Sequence, residues 1–369
     1  MDPRIKRMAR LLINYSCDVK TEDYVMIKAS PVSTDLVLAM EEEVLKKGAY
    51  PLTEISLPSS RYVYYKYATE KQLSHFPHLE MHKIKNVQAL ISILDSENTK
   101  ELANVDAQKQ ALRAKTLHPI NDYIMDVQNK IKWCLTLFPT QAYAQESEMS
   151  LSEFQDFVFK ALYCDKKDPI EEWKKISRQL QNLSEIISNA REVRIRGNET
   201  DLVMSIEGRH GVPCDGHWNM PDGEVFTSPI EHSVNGVISF MVFPRISAGR
   251  EMSGVKLEFK DGKAVKASAE KGNEYLQKNL NIDEGARYIG ELGIGANFGI
   301  KRAIKNILFD EKIGGTIHLA LGDSPLAALT GGQNKSAIHW DFIFSLEKEG
   351  EILIDNRKLM VEKGHIGLE

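Results

Sequence analysis

Tyr24-Val25-Met26-Ile27-Lys28-Ala29 is a short apolar run rich in strand-forming residues, of the kind that becomes a parallel strand buried on both faces. After it, Ser33-Thr34-Asp35 offers a helix N-cap, the pattern stays helical through Lys47, and Gly48 stands where a helix-ending glycine belongs. Tyr50 to Ser56 then reads as a second strand, and Val87 to Leu94 and Ile131 to Phe138 as two more. Strands alternating with helices in this way predict an α/β N-terminal domain with an open, mostly parallel sheet.

Helical patterns at Ser150 to Cys164 and Pro169 to Ala190, the second opened by Asp168-Pro169, close this half. From Arg191 the pattern changes to alternating strands such as Glu192 to Arg196, Leu202 to Ile206 and Val255 to Phe259. Asp261-Gly262 is a strong hairpin signal and Asp222-Gly223 a similar one. We therefore expect two domains, an α/β domain over 1–190 and a β-rich α+β domain over 191–369. A length of 369 residues with 42% hydrophobic composition suits two cores.

With 47 Lys+Arg against 52 Asp+Glu, the net charge of −5 leaves no basic excess to replace the counterions of a nucleic acid, so no nucleic-acid partner is expected. The Met1-to-Arg7 start lacks a signal-like apolar run and no stretch has the length of a membrane span, so we expect a cytoplasmic protein with no membrane contact. Cys17, Cys134, Cys164 and Cys214 have no zinc-finger or redox spacing and read as free thiols that fill space. Serine-hydrolase, zincin and P-loop motifs are absent. Gly293 to Gly299 has one residue too many for a dinucleotide loop and follows helix-like sequence.

The chemistry that remains is a set of His and carboxylate residues in the second half. If Ala337 to Phe344 is a strand, His339 and Asp341 point to one face while Trp340 points away, which makes either a two-ligand metal edge or a surface ion pair. His318 sits in the apolar run Gly315 to Leu321, where it is either a ligand or a core histidine bonded to backbone. Glu224 opens a strand after Pro221-Asp222-Gly223, a place for a ligand or for a solvated turn glutamate. Glu291 is the only charge in a glycine-rich apolar stretch, where a buried carboxylate is costly unless paired or bound to a metal.

Asn219 to Thr227, Gly290 to Gly295, Glu311 to Gly322 and Ser336 to Asp341 together resemble the successive blocks of the M29 metallo-aminopeptidases, the thermophilic aminopeptidase T group. The resemblance is specific from about Arg194 onward and looser before it. By motif it implies metal ligands at Glu224, Glu291, His318, His339 and Asp341, holding two divalent ions (Zn, Co or Mn). Glu291, the most confined of them, is our choice for the bridge, and Glu291 or a neighbour for the catalytic carboxylate that moves the proton. The resemblance further implies hydrolysis of the N-terminal peptide bond of short peptides, and a homodimer that encloses its active sites. Glu311 is a further candidate, as a ligand, as a supporting group or, on an exposed strand edge beside Asp310 and Lys312, as neither. One position departs from the pattern. The family's tyrosine, seven residues after the strand histidine, is here Pro325, and no tyrosine follows Tyr288. Loss of an oxyanion donor costs about 10² to 10³ in rate. Lys335 or Arg302 would be replacement donors, and an amidase-like metallohydrolase or a catalytically weak peptide-binding relative are the alternatives.

Overall fold

The computed structural model describes residues 2–247 and 250–369. They form two compact units, one of residues 2–171 with 216–221, the other of 172–215 with 222–247 and 250–369. The first unit contains the strands β1 (Tyr24–Ala29), β2 (Tyr50–Ile55), β3 (Ala89–Leu94) and β4 (Lys132–Leu137), joined by Asn219–Met220, which is β8 in chain order. All pair in parallel, in the order β2-β1-β3-β4-β8. β1 is buried at Val25, Met26 and Ile27, the continuous apolar character that helices on both faces of a parallel sheet require.

The helix α1 (Pro3–Leu11) opens the chain, α2 (Thr34–Lys46) links β1 to β2, and α3 (Ser60–Tyr67) follows β2. Gly48 adopts a φ of +71°, as its place beyond the end of α2 requires. Met26 and Leu90 pack with Ile84, Val87 and Ile120 in a core cluster beside the sheet.

The second unit is antiparallel. One sheet contains β5 (Glu192–Gly197), β6 (Thr200–Ser205), β10 (Asn235–Phe240), β13 (Val255–Lys260), β14 (Lys263–Ser268), β18 (Gly350–Ile354), β19 (Arg357–Glu362) and β20 (His365–Leu368). Asp261 and Gly262, with φ of +50° and +83°, make the tight turn between β13 and β14 that the sequence announces. The other sheet, in the order β17-β16-β15-β9-β7, is built from β7 (Val212–Cys214), β9 (Glu224–Thr227), β15 (Ile289–Gly295), β16 (Thr316–Gly322) and β17 (His339–Ser345). Its central strands β15 and β16 are buried at every residue.

Three readings need correction. The sequence before Gly293 is strand, not helix, because the seven residues of β15 lie between β9 and β16. Asp222-Gly223 does not join consecutive paired strands; it ends the excursion of 216–221 into the first unit, after which β9 pairs with β7. Glu311 is not on a strand edge but caps the C-terminus of the short helix Ile307–Asp310. Residues 190 and 191, where the sequence pattern changes, both belong to the second unit, just after the helix Pro169–Asn189.

Candidate metal centre

Directly opposed residues of an antiparallel sheet share a face. The register sets Glu224 opposite Gly295, Gly293 opposite His318, Glu291 opposite Ala320 opposite Asp341, and Gly322 opposite His339. All five candidate residues therefore rise from one face, on a floor of Gly293, Gly295, Ala320 and Gly322. The floor has to be low: a Cβ on Gly293 would sit 2.1 Å from Cε1 and Nε2 of His318. The register of β15 shifts between Ile289 and Glu291, and such a bulge re-aims the side chain that follows it.

Glu291 stands between the two histidines. Its Oε1 is 3.0 Å from Nε2 of His318 and its Oε2 is 3.7 Å from Nε2 of His339. Oε2 of Glu224 lies 3.5 Å from Nε2 of His318, and Oδ1 of Asp341 lies 3.1 Å from Nε2 of His339. Ligand atoms of Glu291, His318 and Asp341 all fall within 4.8 Å of one another. Both imidazoles donate from Nδ1 to a backbone carbonyl, His318 to Glu311 at 3.1 Å and His339 to Asp323 at 2.9 Å. This aims Nε2 at the carboxylates, the arrangement in which metal-binding histidines are usually held. Glu311 thus contributes its carbonyl to the site.

Without an ion, carboxylates crowded in a buried place must find other positive charge. Burial would push the His318 and His339 imidazoles down, but Glu291 and Glu224 raise the first to about 9, and Asp341 and Glu291 raise the second to about 10. Burial pushes Asp341 up, yet His339 and Arg245 hold it far below the usual carboxylate range. Burial raises Glu224 despite Lys312. Oε2 of Glu224 and Oδ1 of Asp341 are buried without a well-aligned hydrogen-bond donor. Oxygen and imidazole donors held this way suit a divalent cation, which would take the place of the imidazole protons.

Two cations at the site were not legible in the sequence. Lys312 is fully buried, with Nζ 3.4 Å from Oε1 of Glu224 and in contact with the Glu311 carboxylate. Nη1 of Arg245 lies 3.4 Å from Oδ2 of Asp341. Cys214 is no isolated filler either, because its sulfur lies with carboxylate oxygens of Asp222 and Glu224 within a 4.8 Å group. Pro325 offers neither a hydroxyl nor an N–H, while Lys335 and Arg302 are exposed.

A sheet that gathers Glu, His and Asp side chains around Glu291 has the donor set of a metal site. Comparison with known proteins gives the family: the model of the thermophilic metalloproteases (M29) matches residues 1–365, and the chain belongs to that family. It is 26% identical to aminopeptidase AmpS of Bacillus subtilis over 92% of each chain, and 30% identical to aminopeptidase T of Thermus thermophilus over 67% of this chain and 64% of that one. The solved structure of wild-type AmpT from Thermus thermophilus superposes with a TM-score of 0.82 at 22% identity, covering 99% of this chain and 97% of the other, so the fold is shared throughout.

Proposed function

We propose that this chain is a metal-dependent aminopeptidase that removes the N-terminal residue of short peptides, with two divalent ions held by Glu224, Glu291, His318, His339 and Asp341. The observation that carries the reading is the position of Glu291, one oxygen toward each histidine, where a bridging carboxylate belongs. When bound, such ions supply Lewis-acid polarisation of a carbonyl and bring the pKa of water toward neutrality. The chain's own groups do the rest. Glu291 or a neighbouring carboxylate takes the proton of the attacking water and returns it to the leaving amine. Backbone carbonyls of Glu311 and Asp323 keep both imidazoles turned inward. Lys312 and Arg245 hold Glu224 and Asp341 in place.

Family membership and the aminopeptidase names of the relatives support the substrate class. The reading includes a cytoplasmic homodimer, for which sedimentation at micromolar concentration should give twice the chain mass. Pro325 favours one second reading, a catalytically weak peptide-binding relative. The test is release of free amino acid from unblocked and N-acetylated dipeptides by the metal-supplemented chain, with metal analysis. Turnover of unblocked peptides only, with about two ions per chain, is expected of an aminopeptidase at a two-metal centre. Binding of peptide without turnover would favour the second reading, and a chain that takes up no divalent ion would overturn both metal assignments.

A further inference from the structure

The sheet of the first unit has a topological switch point. The chain leaves β1 through α2 to β2 on one side, then returns across β1 to reach β3 on the other, so the crevice at the carboxyl ends of β1 and β3 is where an open α/β sheet takes its ligand. A cleft of about 500 Å³ lies there, a normal size for a small-molecule site. Ser92, level with Lys28 in the register, lines its floor. Its two lips carry opposite charge. The segment after β2 supplies Arg61, and the segment after β3 supplies Glu97 and Glu101. Among the described residues, no hydrogen bond or ion pair engages these three side chains, whereas the neighbouring Lys28 is occupied by Glu80 at 2.8 Å. Asp95 ties the two central loops together, accepting from the backbone N–H of Ser30 at 2.6 Å and from the Ser33 hydroxyl.

This lining does not suit a nucleotide. The turn after β1, Ala29-Ser30-Pro31-Val32-Ser33, lacks the glycines that bring backbone against phosphate, and two unpaired carboxylates repel an anion. A ligand with a cationic and an anionic end meets both lips, and Leu57, Pro58, Ile93 and Leu94 add apolar lining. We propose that the crevice binds a zwitterion, a free amino acid or a dipeptide, with its carboxylate on Arg61 and its ammonium on Glu97 and Glu101. Its lining belongs to the first unit, and none of the five proposed metal ligands is part of it. The proposal therefore does not rest on the aminopeptidase reading, although peptides and amino acids are what such an enzyme consumes and releases.

The experiment is calorimetric titration of the full chain carrying His339→Ala, which suppresses turnover, with free leucine, leucyl-leucine, N-acetyl-leucine, leucinamide and inorganic phosphate. Saturable binding of leucine or leucyl-leucine, one per chain, is expected, and the tighter of the two identifies the source. Arg61→Ala, and separately Glu97→Gln with Glu101→Gln, should each weaken it at least about tenfold. Removing either charge from the ligand should do the same. These substitutions alter side chains at the surface or rim, and circular dichroism checks that the fold survives. No saturable binding at millimolar concentration, binding that persists through both sets of substitutions, or phosphate binding as tightly as the zwitterions would overturn the proposal.

Discussion

Gly293 carries the sharpest consequence of the site's geometry. Alanine is tolerated at most strand positions, but here its methyl would occupy the place of the His318 ring, 2.1 Å from Cε1 and Nε2. The ring is fully buried and bonded to Glu311, so it cannot swing away cheaply. Gly293→Ala should lower kcat/KM by about 10² or more, the usual effect of displacing a catalytic group by about 1 Å, and should also lower metal content. An active, fully metallated Gly293→Ala would show that His318 is not held as described. Lys312 makes a complementary case. Burial alone would discharge it, but Glu224, Glu311 and Asp222 keep it protonated far above the usual lysine range. Lys312→Met would leave Glu224 and Asp222 buried without this cation, and breaking a buried pair from one side costs about 3 to 5 kcal/mol. Urea denaturation would measure this; a midpoint equal to wild type would mean that the carboxylates find another counter-charge.

Strand β17 reaches the site through a segment anchored by one carboxylate. Asp283 accepts from the backbone N–H of Ala337 at 2.7 Å, the hydroxyl of Ser336 at 2.8 Å and the backbone N–H of Ala286 at 2.9 Å. Burial pushes its pKa up, but those donors outweigh burial and hold it below the usual 3.8. A carboxylate with a depressed pKa in the folded state stabilises fully above its unfolded pKa, and the contribution is lost as pH falls through the folded value. Asp283→Asn should therefore melt below wild type at neutral pH, with the difference shrinking as the pH falls below about 4; melting temperature against pH is the measurement. A constant difference would show that the charge plays no part. What the sequence made legible divides along the same physical line. The parallel strands and the five polar side chains of β9, β15, β16 and β17 stand out because each breaks or fills an apolar run. Strand β15 did not, since glycines at 290, 293 and 295 and the bulge beside Glu291 destroy its two-residue period. Lys312 stayed hidden because a basic residue beside acidic ones reads as solvated, and Arg245 because a lone arginine does; only tertiary packing buries them.

The chain is interleaved: it leaves the first unit after residue 171, returns for 216–221, and leaves again. That return supplies β8, two residues long, which pairs with Leu135 and Thr136 of β4 and is too short to announce itself in a sequence pattern. We still propose 1–190 and 191–369 as the domains in the sense of fold type, with every proposed ligand in the second. On that division, metal should stabilise unevenly. Its proposed ligands run from Glu224 to Asp341, so an ion cross-links β9, β15, β16 and β17, while β1 to β4 hold no ligand. A ligand that binds only the folded state at about a hundredfold excess over Kd adds about 2.7 kcal/mol, or roughly 5 to 11 °C for a unit of this size. Chelation should lower the melting temperature by that order. In hydrogen exchange followed by mass spectrometry, it should deprotect peptides from β9 and β15 to β17 and leave those from β1 to β4 unchanged. Equal loss of protection in both sheets would mean that the two units unfold together; no loss in either would mean that the carboxylates and imidazoles are held as well by their protons as by an ion.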